Sequence, residues 1–532
     1  MIWRAALVAA FAALSMLPTV GQRYIVTGDE ARFAILAQDM LARGTWFDAR
    51  VREQRYRNKP LLYPWAIKVL SLPGGRVTET TMQLPITVAA VTGVFLVTVL
   101  GQQLFTIRAG VGAGLITATT YAFFSHSQIL LPDMLVVAFG LAALSAFWAA
   151  GRDPLDRRWL TVFYVTLALG VAAKGPMGIL PLLIVGLWLL TEEGVRGLRR
   201  LGSRAGAIAF GLLTALWLVP YLVAGGRSFA RGVVWEDWLS WYLGVPRPLP
   251  ILNMLVVAAG GLMPWTALLG PPLLAVRRQW RNGAFRFALL AWLLPLVVVL
   301  LSNNHRARYL LPMYPGAALL IAWWLDAHGT EESGAQRVVV WLTAAAALAM
   351  IVVLALPWVD PMERELVDHF WWKATAMLAG AIALPAYGCS MLRRRAPRAL
   401  VVGLALGTAV LFGVGLRVYN GAVNREQDYP RLATMIERYS QGGEVGVAGG
   451  RFFSIDFYLG RAATTVRSVP ELDDWLDRPG HPLLVVTSRA WSTMRTQARG
   501  DVEVVDSMRV RGHLMFLLRR VVSPERRGPP RP

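Results

Sequence analysis

Long apolar segments recur along this 532-residue chain and restrict the folds that it can adopt more than any motif does. Hydrophobic residues make up 55% of the sequence, charged residues only 16%, and the mean hydropathy is +0.46. This composition is typical of a polytopic membrane protein and excludes a soluble globule. About thirteen segments approach the length needed to cross a bilayer core of about 30 Å: 3–20, 82–100, 110–125, 132–150, 159–173, 176–191, 205–224, 251–275, 287–302, 309–326, 338–357, 372–391 and 399–418.

The first apolar segment has two interpretations, a retained helix or a cleaved signal peptide. No small-x-small cleavage motif follows Pro18, and the rest of the chain spans the membrane in either case. We therefore expect a retained helix.

The net charge of +21 predicts the topology. With the N-terminus inside, four successive cytoplasmic connections carry arginine clusters, as the positive-inside rule requires; they lie at 152–158, 196–204, 277–286 and 393–398. An odd number of spans then places the C-terminus outside. Because these clusters are short loops between spans, we expect them to contact anionic lipid and not nucleic acid. The single cysteine, Cys389, excludes a disulfide framework.

Two adjacent acids, Asp29 and Glu30, follow the first span on the long outer segment 21–81. Helical apolar spacing begins directly after them, so the alternative is that Gly28 or Asp29 is a helix N-cap, with Gly44 as the C-cap. A second helix is expected after Pro60, and both helices are predicted to lie at the membrane interface. An acid that can accept a hydroxyl proton, followed by basic residues that can bind a phosphate, suggests group transfer from a lipid phosphate.

Further charged residues occur where predicted outer loops meet spans. Asp133 follows Pro132 at the start of the fourth span, where it is either a helix cap or a site residue. Lys174 lies in a tight turn between two spans and either snorkels to the surface or binds a phosphate or sugar hydroxyl. Arg306 and Arg308 precede a span on the same side.

Five short motifs follow one another along the chain. They are Gly28-Asp29-Glu30-Ala31-Arg32-Phe33, Asn58-Lys59-Pro60-Leu61-Leu62-Tyr63-Pro64-Trp65, Leu131-Pro132-Asp133-Met134, Ala173-Lys174-Gly175-Pro176-Met177-Gly178 and Ala307-Arg308-Tyr309-Leu310-Leu311-Pro312-Met313-Tyr314-Pro315. In this order they resemble the GT-C glycosyltransferases (families 83 and 39), and within these the aminoarabinose transferase and protein mannosyltransferase-like groups. The resemblance runs from residue 1 to about 420 and on through the C-terminal residues.

The resemblance implies a GT-C fold and a set of site residues. The implied catalytic acids are Asp29, Asp133 and Glu30. The implied ligands of the donor phosphate are Lys59, Arg32, Arg57, Lys174, Arg306 and Arg308. Apart from the resemblance, we predict that the substrate cavity is lined by Tyr56, Tyr63, Trp235 and Tyr309.

The chain departs from the family at positions that bear on metal binding. Many relatives have an acid where this chain has Asn58, a second proline where it has Leu61, and a histidine in the loop that here reads Val245-Pro246-Arg247-Pro248. No other cluster of His, Asp and Glu has ligand spacing. We therefore predict no metal site, and a divalent cation stays open as a cofactor.

We predict three regions in a mainly α, polytopic protein: a GT-C transmembrane catalytic domain at 1–420, an outer α/β domain at 421–522 and a disordered tail at 523–532. Strands are expected at 444–449, 462–466, 482–487 and 513–518, with helices near 429–439, 470–476 and 489–498. This domain serves either acceptor docking or structural support. The outer loop 225–250 is either an interfacial aromatic belt or a lid over the substrate cavity.

These observations predict an inverting glycosyltransferase of the bacterial inner membrane, monomeric, with its site and C-terminal domain on the periplasmic side. Its donor is expected to be a polyprenyl-phosphate sugar, such as an undecaprenyl derivative, and its acceptor a lipid A-like lipid or another envelope glycan. A protein O-mannosyltransferase-like activity is the alternative. A lipid-linked sugar flippase is the rival class, which predicts acids near mid-membrane and inverted repeats. The sugar and the acceptor stay open.

Overall fold

The computed structural model describes residues 2–52, 54–57, 59–151, 155–239, 248–302, 305–329, 379–380, 382–450, 452–480, 482–499 and 501–520. The chain divides into two compact units. The membrane unit comprises residues 1–21, 40–49 and 55–418, and the C-terminal unit comprises residues 22–39, 50–54 and 419–532. The C-terminal unit therefore includes parts of the outer segment 21–81.

The membrane unit is helical, which confirms the mainly α class. Helix α4 packs against α5 and α7, α7 against α8, and α14 against α15. Among the described residues up to 426, the helices include α1 (Ile2–Met16), α2 (Gly28–Ala42), α3 (Leu62–Ser71), α4 (Glu79–Leu104), α5 (Ile107–Ala118), α6 (Tyr121–His126), α7 (Asp133–Ala149), α8 (Arg157–Lys174), α9 (Leu180–Glu193), α10 (Arg204–Arg231), α11 (Pro248–Gly261), α12 (Gly270–Leu274), α13 (Val276–Gln279), α14 (Gly283–Leu301), α15 (Met313–His328) and α16 (Pro397–Glu426).

Helix α1 is integrated into the membrane unit. It buries Ala5, Val8 and Ala12 and packs against α4 and α5. The hydroxyl of Thr19, just after this helix, donates a hydrogen bond of 3.0 Å to the side-chain oxygen of Gln128. These contacts show how the helix packs, and its retention in the mature protein stays a prediction.

Several predicted spans are long enough to cross a membrane. Among the described residues, six helices have the necessary length and composition, or seven if one bent pair counts as a span. The apolar helices α5 and α7 are shorter, and the predicted span 338–357 and most of 372–391 lie outside the described residues. The number of thirteen spans therefore stays a prediction.

The predicted span 251–275 is wrong as one continuous helix. Residues Ile251–Gly261 and Thr266–Leu274 form two helices bent by 106° relative to each other. Pro264 lies in the break and has no N–H to continue a helix. The carbonyl of Met263 instead accepts a hydrogen bond of 2.9 Å from the backbone N–H of Tyr121. Such compensation is needed wherever a helix breaks in an apolar surrounding.

The Lys174-Gly175-Pro176-Met177-Gly178 motif forms the turn between α8 and α9. Helix α8 ends at Lys174, Gly175 has a φ of 68°, and a 3₁₀ turn follows at Gly175–Ile179. The backbone of Gly178 lies so close to Gly170 that a Cβ on Gly178 would approach the Val171 nitrogen to 2.1 Å. Glycine at 178 is therefore a packing requirement of this turn.

The C-terminal unit is an α/β fold around a five-stranded sheet, as expected. Strands β3 (Val445–Ala448), β4 (Thr464–Val466) and β5 (Leu483–Thr487) are mutually parallel, and β7 (His513–Arg520) and β6 (Val502–Val510) are antiparallel, in the order β4-β3-β5-β7-β6. Helices α17 (Tyr429–Ser440), α18 (Phe453–Leu459), α19 (Val469–Leu476) and α20 (Ser488–Met494) accompany it. The buried strands β3 and β5 are flanked by two apolar clusters, centred on Leu432 and Leu472.

Strand β6 is the element of this sheet that the sequence did not reveal. It lies at the sheet edge, pairs only with β7 among the described strands, and alternates polar residues such as Glu503 and Asp506 with apolar ones. An edge strand with charged residues lacks the continuous apolar run of a buried strand. A further short ladder joins β1 (Arg50–Val51) to β2 (Gln54–Arg55).

We expect the substitution Gly178→Ala to destabilise the protein by about 1–3 kcal/mol, the usual cost of overpacking. The added methyl group meets backbone atoms of α8, which cannot rotate away. The matched control is Gly186→Ala in α9, where a Cβ meets no atom within 4 Å. Thermal unfolding of the detergent-solubilised variants tests this, and equal melting temperatures for the two variants would contradict the packing interpretation.

Candidate active site

Asp133 and Lys174 form an ion pair at the ends of two neighbouring helices of the membrane unit. Asp133 is the first residue of α7 and Lys174 the last residue of α8, and their side chains are only 7% and 9% exposed. A carboxylate at a helix N-terminus and an ammonium at a helix C-terminus are both stabilised by the helix dipoles. The pairing allows two charges to lie in an apolar surrounding.

Four further side chains surround this pair. The Lys174 Nζ lies 4.1 Å from the centre of the Tyr309 ring, and the Arg308 guanidinium lies 5.6 Å from the same ring centre. Arg308 and His126 exert charge–charge effects on Asp133, and Arg306 exerts one on Lys174. The structure thus brings together residues from three separate segments, and all of them except His126 are predicted site residues. We call this set the Lys174 cluster: His126, Asp133, Lys174, Arg306, Arg308 and Tyr309. Their functional roles stay predictions.

His126 is the member of the Lys174 cluster that sequence reasoning missed. It ends helix α6, and its Nδ1 lies 2.7 Å from the carbonyl oxygen of Ala122. A single histidine without a partner at ligand spacing gives no motif. Only its position a few residues before Asp133 pointed to the site.

Asp29 and Glu30 have different environments in the C-terminal unit. Asp29 accepts a hydrogen bond of 2.5 Å from the Arg32 guanidinium, and the two side chains are 34% and 30% exposed. Glu30 is 1% exposed and forms an ion pair with the buried Arg23. Asp29 is therefore the accessible acid of the two.

Thr27 and Glu30 form a capping box at the start of α2. The backbone N–H of Glu30 donates to the Thr27 hydroxyl, and that of Thr27 donates to the Glu30 carboxylate, each at 3.2 Å. The predicted N-cap at Gly28 or Asp29 is wrong, whereas Gly44 has a φ of 69° just beyond the helix end, as expected of a C-terminal glycine. Because Glu30 is buried and fully engaged in caps and pairing, its geometry favours a structural role over the predicted catalytic one.

Two buried groups in the C-terminal unit have raised pKa values, for different reasons. Burial alone disfavours the charged Arg23 guanidinium, but the Glu30 carboxylate outweighs it and raises the pKa of Arg23. Burial also raises the pKa of Asp456, and hydrogen bonds from Arg52 and Ala463 offset this only in part. These acids and bases are structural pairs held away from water.

The predicted phosphate ligand Arg57 is attached to the aromatic segment 221–239. Its guanidinium donates a hydrogen bond of 2.6 Å to the Glu236 carboxylate. The carbonyl of the adjacent Tyr56 accepts a hydrogen bond of 2.6 Å from the Tyr221 hydroxyl. Trp238 lies against Gly175, beside Lys174, so that a Cβ on Gly175 would be 3.2 Å from its ring. The described part of the predicted lid thus contacts the Lys174 turn, while residues 240–247 lie outside the described residues.

The remaining predicted residues differ in accessibility. Lys59 and Tyr56 are half-buried, and Trp235 is 59% exposed. Tyr63 is fully buried and donates a hydrogen bond of 3.0 Å to the carbonyl of Met82 on α4. This hydrogen bond assigns the Tyr63 hydroxyl to the packing of α3 on α4, and the place of Tyr63 in the lining of a substrate cavity stays a prediction.

Within the described ranges, no group of three or more His, Cys, Asp or Glu side chains is arranged to hold a metal ion. The position of Asn58 lies outside those ranges. Asp133 belongs to the membrane unit and Asp29 to the C-terminal unit. Asp133 pairs with Lys174, and Asp29 pairs with Arg32.

The chain is similar to known proteins both in sequence and in fold. Residues 58–223 match the family model described as dolichyl-phosphate-mannose-protein mannosyltransferase. The undecaprenyl phosphate-alpha-4-amino-4-deoxy-L-arabinose arabinosyl transferase of Pectobacterium carotovorum subsp. carotovorum is 24% identical over 458 residues, covering 83% of this chain and 81% of that protein.

Two solved structures extend the comparison. ArnT from Cupriavidus metallidurans bound to undecaprenyl phosphate matches with a TM-score of 0.80 and 18% identity, over 96% of this chain and 97% of that one. The archaeal oligosaccharyltransferase AglB from Archaeoglobus fulgidus, in complex with an inhibitory peptide and a dolichol-phosphate, matches with a TM-score of 0.52 and 13% identity, over 94% of this chain and 71% of that one.

The chain is thus a multi-pass membrane protein with the GT-C glycosyltransferase fold. Within that class its likeness to ArnT covers almost the whole of both chains. The resemblance to the aminoarabinose transferase group stated from the sequence is confirmed.

We expect Glu30→Gln to destabilise the protein by about 3 kcal/mol, because it leaves the buried Arg23 charge without its carboxylate. Asp29→Asn is the matched control: it is the same type of substitution at the adjacent position, on a partly exposed side chain whose pairing contributes little to stability. Thermal unfolding compares the two. If Asp29→Asn lowers the melting temperature as much as Glu30→Gln does, the structural role assigned to Glu30 is wrong.

Proposed function

We propose that this protein is an inverting glycosyltransferase that moves a sugar from a polyprenyl-phosphate donor to a lipid acceptor of the cell envelope. The observation that carries the proposal is the Lys174 cluster, in which an ammonium, guanidinium groups and a phenol converge at the ends of apolar helices. Such a cluster suits a phosphate headgroup whose hydrocarbon chain stays in the membrane. The names and bound lipids of the similar proteins support the same class of donor.

The membrane unit has a small apolar pocket among α4, α7, α9, α14 and α15. Its lining includes Val136 and Met177, which lie within a few residues of Asp133 and Lys174 in the chain. An isoprenoid chain matches this apolar lining.

The leaving group determines what the cationic residues do. When the bond between the anomeric carbon and the phosphate oxygen breaks, the electron pair and the negative charge stay on the polyprenyl phosphate. Lys174, Arg308 and Arg306 are fixed before the reaction and stabilise that charge where it develops. Asp133 holds the Lys174 ammonium in place by its ion pair. Lys59 and Arg57 are proposed to complete the cationic surrounding of the donor, and Arg32 is proposed to act on Asp29 instead.

The acceptor hydroxyl must lose a proton as its oxygen attacks the anomeric carbon. Asp29 is the proposed base, because it is accessible, and the Arg32 guanidinium keeps its carboxylate oriented. One in-line displacement forms the new glycosidic bond, breaks the bond to phosphate and inverts the anomeric carbon. We expect these steps on the periplasmic side of the inner membrane, as the arginine-rich predicted inner loops suggest.

A second candidate acceptor is a protein hydroxyl. It is favoured by the match of residues 58–223 to a family model described as a protein mannosyltransferase. The two candidates share the donor chemistry and differ only in what attacks the anomeric carbon.

The activity can be tested with purified protein in lipid nanodiscs. Undecaprenyl-phosphate aminoarabinose and undecaprenyl-phosphate hexoses serve as donors, and lipid A and a serine- and threonine-rich peptide as acceptors, with products followed by mass spectrometry. Sugar transfer to lipid A is the expected result, and transfer to the peptide alone would favour the second acceptor. Movement of intact donor between bilayer leaflets without any transfer would contradict the enzyme and support a flippase.

We expect Asp29→Asn to lower kcat by about 10²–10⁴-fold, the usual contribution of a general base. The melting temperature should stay close to that of the wild type, because Asp29 is partly exposed. The control is Asp48→Asn, which removes an acid on the same outer segment that pairs with Arg43 and Arg55 on the surface. Full transfer activity in Asp29→Asn would exclude Asp29 as the base.

A further inference from the structure

The aromatic ring of Phe453, in the first turn of α18, is the meeting point of two arginine side chains in the C-terminal unit. The guanidinium carbon of Arg32 lies 5.4 Å from the ring centre, and that of Arg52 lies 5.2 Å from it. Both distances are those of cation–π contacts. Arg32 comes from α2 and Arg52 from the turn between β1 and β2, so one ring joins two parts of the first outer segment.

Two like charges on one ring repel each other unless each is neutralised. Arg32 pairs with Asp29 at 2.5 Å, and Arg52 forms a forked pair with Asp456 at 2.5 and 3.0 Å. The side chains therefore form a continuous series of acid, cation, ring, cation and acid. Asp456 is 4% exposed and Asp29 is 34% exposed, so the series leads from a buried anchor to the accessible acid.

The buried end of the series is firmly fixed. Asp456 also accepts a hydrogen bond of 3.0 Å from the backbone N–H of Ala463, and the Arg52 guanidinium donates to the Thr465 hydroxyl. Arg52 itself has a φ of 49°, a left-handed conformation that costs free energy for a residue other than glycine. Such a conformation persists where its surroundings over-determine it, as the forked pair does here.

The backbone that precedes Asp29 is attached to the same unit. The N–H of Ile25 donates 2.8 Å to the Tyr458 hydroxyl on α18, and the N–H of Tyr24 donates 2.9 Å to the side chain of Asn424 on α16. Asn424 in turn donates 2.7 Å to the carbonyl of Gln22. Helix α18 thus contacts both the side chains and the backbone that determine where Asp29 lies.

We propose that Phe453 is a positioning residue for catalysis: its ring holds the Arg32 guanidinium, which holds the Asp29 carboxylate in its reactive orientation. The proposal rests on the proposed role of Asp29 as the base. It gives the C-terminal unit a function in the reaction itself, where the sequence left open acceptor docking or support. Phe453 touches neither donor nor acceptor in this role.

The test compares two substitutions of Phe453 in the full-length protein. Phe453→Leu keeps an apolar side chain but removes the ring face, and we expect kcat to fall roughly 10- to 100-fold, as for a misplaced catalytic group, with less than about a 2-fold change in donor KM. Phe453→Tyr keeps the ring and should restore kcat to nearly the wild-type value. Failure of Phe453→Tyr to exceed Phe453→Leu would overturn the proposal.

A matched control separates positioning from general loss of aromatic packing. Phe516→Leu makes the same change in strand β7, where the ring packs in the apolar cluster centred on Leu472. We expect its kcat to be unchanged at a temperature well below its melting point. If Phe453→Leu does not fold, Phe453→Met provides a longer and more flexible apolar side chain without the ring face and has the same expected result.

The double variant with Asp29→Asn distinguishes this proposal from the proposed function. If Phe453 acts through Asp29, Phe453→Leu should lower kcat much less when Asp29 is already asparagine, because coupled residues are not additive. Equal loss in both backgrounds would show that the ring acts elsewhere and would contradict the positioning role alone. Full activity of Asp29→Asn would contradict the proposed function instead.

Discussion

The cost of leaving a charge unpaired in an apolar surrounding governs where acids and bases occur in this protein. Asp133 and Lys174 lie at the ends of apolar helices and are almost completely buried, which is affordable only because they neutralise each other. The same constraint explains Arg23 with Glu30 and Arg52 with Asp456 in the C-terminal unit. Each buried pair fixes the backbone from which its side chains come. The accessible charged groups lie on this fixed backbone, as Asp29 does beside Glu30.

Burial separates the pairs that support the fold from those proposed to react. Glu30 is surrounded by caps and by Arg23, whereas its neighbour Asp29 pairs with Arg32 at a partly exposed position. In the membrane unit, Lys174 lies beneath the Tyr309 ring and near Arg308, an arrangement suited to a phosphate. In the proposed reaction, the partly exposed Asp29 therefore acts on the acceptor. Lys174 and Arg308 act on the negative charge of the donor phosphate.

The sequence predicted the fold class, most of the strands and the grouping of Asp133, Lys174 and Arg308, because each lies in a short motif at the end of an apolar segment. It favoured Asp29 over Glu30 only through the family resemblance, since adjacent letters do not reveal which side chain is buried. The burial of Tyr63 and the helix break near Pro264 depend on tertiary packing, which the spacing of apolar residues along the sequence does not reveal. Phe453 was missed because it lies far along the chain from Arg32 and Arg52, and only the folded structure brings the three together.

We propose a single in-line displacement at the anomeric carbon. A protein carboxylate takes the proton of the acceptor hydroxyl, and polyprenyl phosphate leaves. The most direct measurement is the anomeric configuration of the transferred sugar, determined by NMR on the product of a donor of known configuration. We expect the anomeric configuration to be inverted in every product molecule. Retention of configuration would contradict it, because retention requires two successive displacements through a glycosyl-enzyme intermediate.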